Sequence, residues 1–289
     1  MNASDELAQT LRDFRQSHPL HSLQLGSGRW EYLHGGSGER TVLIAGGGGS
    51  LAESMFTVNV ALEANCRVVS LSIPTTVSTV EEVVAGMEAI LDSAGVGQAI
   101  LLGHSLGGMI AQAFAPRHPR RVAGLVLTST GFYLGARAVL LPQAARLMAR
   151  LPSAMLLRLV GSQMRRLLQQ AEAADFWMDF YRQELGLPEA GARLRQQSLL
   201  LAKLAGFFRQ NPIHAGLPWI STMPVQIIAS EDDRGFTRRE VAALGALYPC
   251  SQTLTMPRGA GHLNFLTRPR EYMQAVQAFI ADRVGVPSA

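Results

Sequence analysis

The stretch Ala99–Gly108, AILLGHSLGG, decides the fold. A short apolar run, Ile100-Leu101-Leu102, ends at Gly103; His104-Ser105-Leu106-Gly107 follow, and a helical pattern opens at Gly108 and runs to Ala115. This is G-x-S-x-G between a strand and a helix, the setting in which the motif has structural meaning. A strand that reverses straight into a helix leaves no room for side chains two residues to either side of the tip. Gly103 and Gly107 meet that need. Ser105 at the tip is forced into a strained conformation that exposes its hydroxyl. It also sits at a helix N-terminus, where free N–H groups favour developing negative charge.

Outward from this turn, strand and helix textures alternate. Thr41–Ala45, Arg67–Leu71, Val122–Leu127, Val225–Ala229 and Gln252–Met256 read as buried strands. Thr79–Ala94, Val241–Leu247 and Glu271–Val284 read as helices. At the start, residues 4–17 predict a helix with Ser4 as N-cap and Leu7, Leu11 and Phe14 on one face. Leu20–Leu25 and Trp30–His34, flanking Gly26-Ser27-Gly28, predict a hairpin. Such alternation implies a parallel sheet covered on both faces, with ligands at the carboxyl ends of its strands.

From Phe132 to about Gly216 the texture changes to Leu, Met, Ala, Gln and Arg, and four helices are expected. Residues 132–214 carry ten arginines and one lysine against five acids, a net charge of +6. The helix over 155–170 puts Leu156, Val160, Met164, Leu167 and Leu168 on one side and Arg158, Arg165 and Arg166 off it. That pattern fits a helix packed on its own protein, with Met suited to irregular apolar ligands.

The chain as a whole, 289 residues at 47% hydrophobic and 17% charged, suits one large domain with an insertion. Its formal charge is a modest +4, and Lys203 is its only lysine, so no nucleic-acid partner is inferred. No apolar signal segment and no run of eighteen apolar residues appears, so no membrane span is expected. Cys66 and Cys250 fall before strands about five inter-strand steps apart, beyond disulfide reach. Reduced thiols and a cytoplasmic location follow as expectations.

Four candidate features converge on the carboxyl edge of the sheet: Gly46-Gly47-Gly48-Gly49-Ser50 after one strand, Ser105 after another, Glu231-Asp232-Asp233 after a third and His262 after the last. The glycine loop does not fit a dinucleotide turn: G-x-G-x-x-G is broken by Leu51, and Ser72 stands where a ribose-binding acid belongs. No lysine is near for a phosphate loop. The remaining reading is an oxyanion hole, with N–H groups from Leu106 and from Gly47 or Gly48. A serine hydroxyl needs a base, and the base needs an orienting acid. His262 can be the base. The acid comes from residues 231–233, in the chain order Ser…Asp…His that accompanies this turn.

These residues resemble the α/β-hydrolase superfamily over essentially the whole chain. The resemblance implies an α/β fold with a mostly parallel eight-stranded sheet, helices on both faces and a helical lid inserted after the sixth strand. Residues 1–131 and 217–289 would be the core and 132–216 the lid. The superfamily's Gly-x-x-Asp is matched by Ser230-Glu231-Asp232-Asp233, which points to Asp233 as the acid, then Asp232, then Glu231. Its common His-Gly before the oxyanion hole is Ala45-Gly46 here. Phe14-Arg15, Pro19-Leu20, Trp30, Leu71-Ser72-Ile73-Pro74, Ser105-Leu106-Gly107-Gly108 and Leu247-Tyr248-Pro249 are most similar to the maspardin branch. Maspardin itself is held to be a non-catalytic binding protein with another residue at the catalytic histidine; His262 occupies that position here.

The expected activity is a serine hydrolase cleaving an ester or thioester of a largely apolar acyl group through Ser105, His262 and Asp233. The serine excludes branches that use an aspartate nucleophile. The alternatives are a lyase or cyclase using the same triad as a base, and a maspardin-like binding protein. Gly48, His104, His214 and Met164 are possible pocket residues, with His104 placed for packing beside the nucleophile. His118 suits a helix C-terminus, and His18, His21 and His34 carry no signal. No element shows metal-ligand spacing, so neither metal nor cofactor is expected. The cationic insertion could steer an acidic carrier protein or a coenzyme A thioester.

Overall fold

The computed structural model describes residues 2–26 and 28–285. Ser27, in the expected hairpin turn, lies outside the described residues, as do Met1 and residues 286–289. In chain order the elements are α1 (Ala3–Ser17), β1 (His21–Leu25), β2 (Gly28–Gly35), β3 (Arg40–Ala45), α2 (Phe56–Glu63), β4 (Cys66–Ser72), α3 (Val80–Ser93), β5 (Ala99–His104), α4 (Leu106–Phe114) and β6 (Val122–Thr128). Then come α5 (Arg137–Met148), α6 (Ser153–Leu168), α7 (Ala174–Gly186), α8 (Ala190–Gln210), α9 (Pro218–Thr222), β7 (Val225–Ser230), α10 (Arg238–Leu247), β8 (Ser251–Met256), α11 (Asn264–Thr267) and α12 (Pro269–Arg283).

Eight strands form one sheet in the order β1-β2-β4-β3-β5-β6-β7-β8. The pairs β1–β2 and β2–β4 are antiparallel and the rest parallel. The central strands β3, β5, β6 and β7 are buried along almost their whole length, as strands covered on both faces must be. One core packs α3, α4, part of α8 and α10 against one face, around Trp30, Met87, Phe114 and Tyr248. The other packs α1, α2, α7 and α12, around Phe14, Phe56, Trp177 and Tyr272. Between β6 and β7, α5 packs on α8, α6 on α7 and α8, and α8 reaches α3 and α4.

Local chemistry explains the helix starts. Thr79 and Glu82 form a capping box ahead of α3, and Thr237 and Glu240 another ahead of α10, three residues earlier than the apolar spacing suggested. Asn2 and Asp5 form a third at α1, so Asn2 and not Ser4 is the N-cap. α2 escaped the sequence reading: it is short, has no side-chain cap, and is apolar on most sides because Phe56, Val58 and Leu62 are all buried. Cys66 and Cys250 are free thiols. Among the described residues no helix is long and apolar enough to cross a membrane.

One glycine outside the site has a sharp steric role. A Cβ on Gly86 in α3 would lie 1.9 Å from Cζ2 of Trp30, which is buried beneath it. In an open helix Gly→Ala stabilises by about 1 kcal/mol. Here Gly86→Ala is expected to destabilise by about 2–3 kcal/mol through overpacking, read by denaturant unfolding. A stability equal to or above wild type would contradict the packing, and adding Trp30→Phe should recover part of the loss.

Candidate active site

The turn after β5 is built as its sequence requires. Ser105 has φ 53° and ψ −115°, a strained pair for a residue with a side chain. A Cβ on Gly107 would stand 1.9 Å from the carbonyl oxygen of Ala45, and one on Gly103 2.5 Å from that of Gly107. The strain is held from both sides: the Ser105 N–H donates to Thr128 O (2.9 Å), and the Thr130 hydroxyl donates to Ser105 O (2.7 Å).

His262 arrives on the loop after β8. Its Nε2 lies 2.9 Å from Ser105 Oγ, and its Nδ1 lies 2.9 and 3.0 Å from the two oxygens of Asp233. A carboxylate only accepts, so Nδ1 carries the proton and the Nε2 lone pair faces the serine hydroxyl. The side chain of Asp233 is 2% exposed, and one oxygen also accepts from the Gly235 N–H at 2.7 Å. The three acids offered by the sequence separate by geometry. Asp232 accepts from the N–H groups of Gly259 and Gly261, both at 2.9 Å, and so pins the loop that delivers His262. Burial pushes its carboxyl up, but these backbone donors prevail and hold it below the usual carboxylate range. Glu231 pairs at the surface with Arg238.

Gly47 passes close beside Ser105: a Cβ there would lie 3.0 Å from His104 Cδ2 and 3.5 Å from Ser105 Cβ. The N–H of Leu106, the first residue of α4, has no helical acceptor by position. His104 is buried behind the pair, with Nδ1 3.2 Å from Thr128 Oγ1 and its ring 5.2 Å from that of His262. Burial, aided by the charge of His262, pushes its pKa well below the ordinary imidazole value, so it packs as a neutral ring.

A cavity of about 290 Å³ lies between the strand ends and the helices α5–α8. Gly47, Gly48, His104, Ser105, Leu106, Met164 and His262 all line it. His214 does not: it is exposed on the segment after α8 and stands outside this cavity, because that segment runs along the surface back to α9. The sequence reading missed a polar group on the cavity wall: Glu184, Arg193 and Gln197. Gln197 accepts from the Gly49 N–H, and Arg193 Nε donates to Gly49 O at 3.0 Å. The peptide groups on both sides of Gly49, in the loop after β3, are thus held by α8. The signal was present, since Arg193 and Gln197 share the face of α8 that carries Leu200 and Leu204.

Glu184 is nearly fully buried, and Ser54 Oγ donates to its carboxyl at 2.5 Å. Burial pushes its pKa up from 4.5 to about 7, against the pull of Ser54 and Arg193. The folded state therefore keeps this proton where the unfolded chain has lost it. Its contribution to stability is full below about pH 4.5 and is lost as pH rises to 7. At about 1.4 kcal/mol per pH unit, wild type should lose about 2–3 kcal/mol between pH 5 and pH 8 relative to Glu184→Gln. Denaturant unfolding of the two proteins across that range checks it, and parallel curves would refute it.

Comparison with known proteins agrees with this architecture. The family model for the alpha/beta hydrolase fold matches residues 40–269. The chain is 24% identical over 208 residues to the sn-1-specific diacylglycerol lipase ABHD11 of Mus musculus, covering 68% of this chain and 63% of that protein. It is 31% identical over 278 residues to polyketide synthase ThaQ of Burkholderia thailandensis, covering 91% of this chain but 13% of the synthase. The chain therefore spans less than two thirds of either relative. The solved structure of esterase RhEst1 from a Rhodococcus species superposes with a TM-score of 0.74 at 19% identity, covering 92% of this chain and 99% of the esterase; at that identity it speaks to the fold alone. With a family model matched from β3 to the start of α12 on an eight-stranded, mostly parallel sheet, this chain belongs to the α/β-hydrolase fold family.

Proposed function

We propose that this chain is a serine hydrolase that cleaves an ester or thioester of a largely apolar acyl group through an acyl-enzyme. The observation that carries the reading is the continuous contact from Ser105 Oγ to His262 Nε2 and from His262 Nδ1 to Asp233, opening into one cavity. In the first half-reaction His262 takes the hydroxyl proton as Ser105 Oγ attacks the acyl carbon. The N–H groups of Gly47 and Leu106 receive the developing oxyanion, and Asp233 stabilises the imidazolium. His262 returns the proton to the leaving alcohol or thiol. In the second half-reaction His262 deprotonates a water that attacks the acyl-serine, and it returns that proton to Ser105 Oγ as the acyl–Oγ bond breaks and the acid leaves. Residues 132–216 act as a lid, presenting Met148, Val160, Met164, Leu167 and Leu201 to the acyl chain.

A fluorophosphonate probe should label the wild-type protein at Ser105. Ser105→Ala should abolish labelling, and His262→Ala should slow it by at least about 10³-fold. Folded wild-type protein that resists the probe would end this reading. Asp233→Asn should lower turnover by a similar factor, because it favours the wrong imidazole tautomer, whereas Asp232→Asn, outside the proton path, should cost far less.

The similarity to a polyketide synthase over 91% of the chain favours a thioester, and the outer face of α5 and α6 favours an acidic carrier as its bearer. No aspartate or glutamate occurs between Asp92 and Glu172, while Arg146, Arg150, Arg158, Arg165 and Arg166 are all exposed. Leu140, Leu147, Met155 and Leu159 stand exposed among them. Gln163 both lines the cavity and reaches solvent, so the cavity opens beside this face. Replacing Arg150 and Arg158 together by Glu should cut kcat/KM for an acyl chain on an acidic carrier protein by about tenfold or more, with a weakened salt dependence. The same acyl group on N-acetylcysteamine should be turned over as before. Equal effects on both substrates would refute the docking role.

A further inference from the structure

Arg193 is buried at 5% exposure on the wall of the cavity that contains Ser105. A guanidinium has five N–H donors. The bonds it makes go to backbone carbonyls: Nε to Gly49 O and Nη2 to Glu184 O, both at 3.0 Å. Among the described residues no carboxylate lies within 4 Å of it; Glu184 and Glu189 act on it only from farther away. The carboxyl of Glu184 accepts from Ser54. Apart from Glu184, no carboxylate among the described residues lines the cavity.

A buried charge without a counter-charge is costly, and a cavity that holds one open is suited to a ligand that supplies the partner. A planar guanidinium matches the two oxygens of a carboxylate or phosphate. We propose that Arg193 binds an anionic group of the substrate, so that the cavity takes an apolar chain at Met148, Val160, Met164 and Leu167 and an anion at its Gly49 end. The word substrate rests on the hydrolase reading above. Gly49 lies two residues beyond Gly47, so the anion binds on the oxyanion-loop side of the cavity. Two sources share this chemistry: a carboxylate carried by the acyl chain, or the phosphate of a pantetheine-type thiol.

Calorimetric titration of the full-length Ser105→Ala protein tests this without turnover. Two ligand pairs differ only in the anion: monomethyl against dimethyl adipate, and 4′-phosphopantetheine against pantetheine. The anionic member of at least one pair should bind at least tenfold more tightly. Arg193→Gln should remove that preference, and Arg193→Lys, which keeps the charge, should retain part of it. Preference in the adipate pair places the anion on the acyl chain, and preference in the pantetheine pair places it on the thiol. Equal affinities within both pairs, or a preference that survives Arg193→Gln, overturns the proposal. Failure of the hydrolase reading shows separately, as wild-type protein that resists the fluorophosphonate probe while the binding preference persists.

Discussion

The site depends on one steric constraint, the absence of room for a side chain where β5 turns into α4. Gly107 passes so close to Ala45 O that a single methyl group would separate β3 from the turn. This contact keeps the loop after β3 against the start of α4, and Gly47 therefore passes close beside Ser105. Ser105 and the glycine loop are thus neighbours because two backbones touch. The backbone strain at Ser105, of order 1–3 kcal/mol, is sustained by the sheet through Thr128 and Thr130.

The parts legible in the sequence were those governed by local chemistry. Buried strands announced themselves as β-branched runs, the turn by its glycines, and α3 by apolar spacing. Parallel topology then followed, and with it the edge on which Ser105, the acid loop and His262 meet. Less legible was anything decided by long-range packing. Asp232 and Asp233 are adjacent and chemically alike, and only the fold shows that one pins the loop of His262 while the other meets its imidazole. His214 looked like a pocket residue by its place between insertion and core, yet the chain after α8 leaves it exposed. α2 lacked a period to read, since a helix buried on most sides has no polar stripe.

Arg193 shows the same limit from the other direction. Arginines in a helical insertion are usually solvated, and composition gives each the same weight. The ten in residues 132–214 fall into different environments: those of α5 and α6 named above face solvent, while Arg193 lies under the protein surface. What marks it is its register on α8, among Leu194, Gln197, Leu200 and Leu204 rather than opposite them.

That register ties the inserted helices to the chemistry. α8 holds both the N–H and the C=O of Gly49, two residues from the glycine that passes beside Ser105. Arg193 also grips the backbone of α7 at Glu184, and Glu184 returns to the core through Ser54, whose hydroxyl oxygen in turn accepts from Leu51 N–H at the end of the same loop. The glycine loop after β3 is therefore held on one side by the sheet and on the other by α7 and α8. A movement of these helices that opened the cavity would release Gly49 at the same moment. In this architecture the seating of α7 and α8 and the position of the glycine loop beside Ser105 are tied through shared hydrogen bonds.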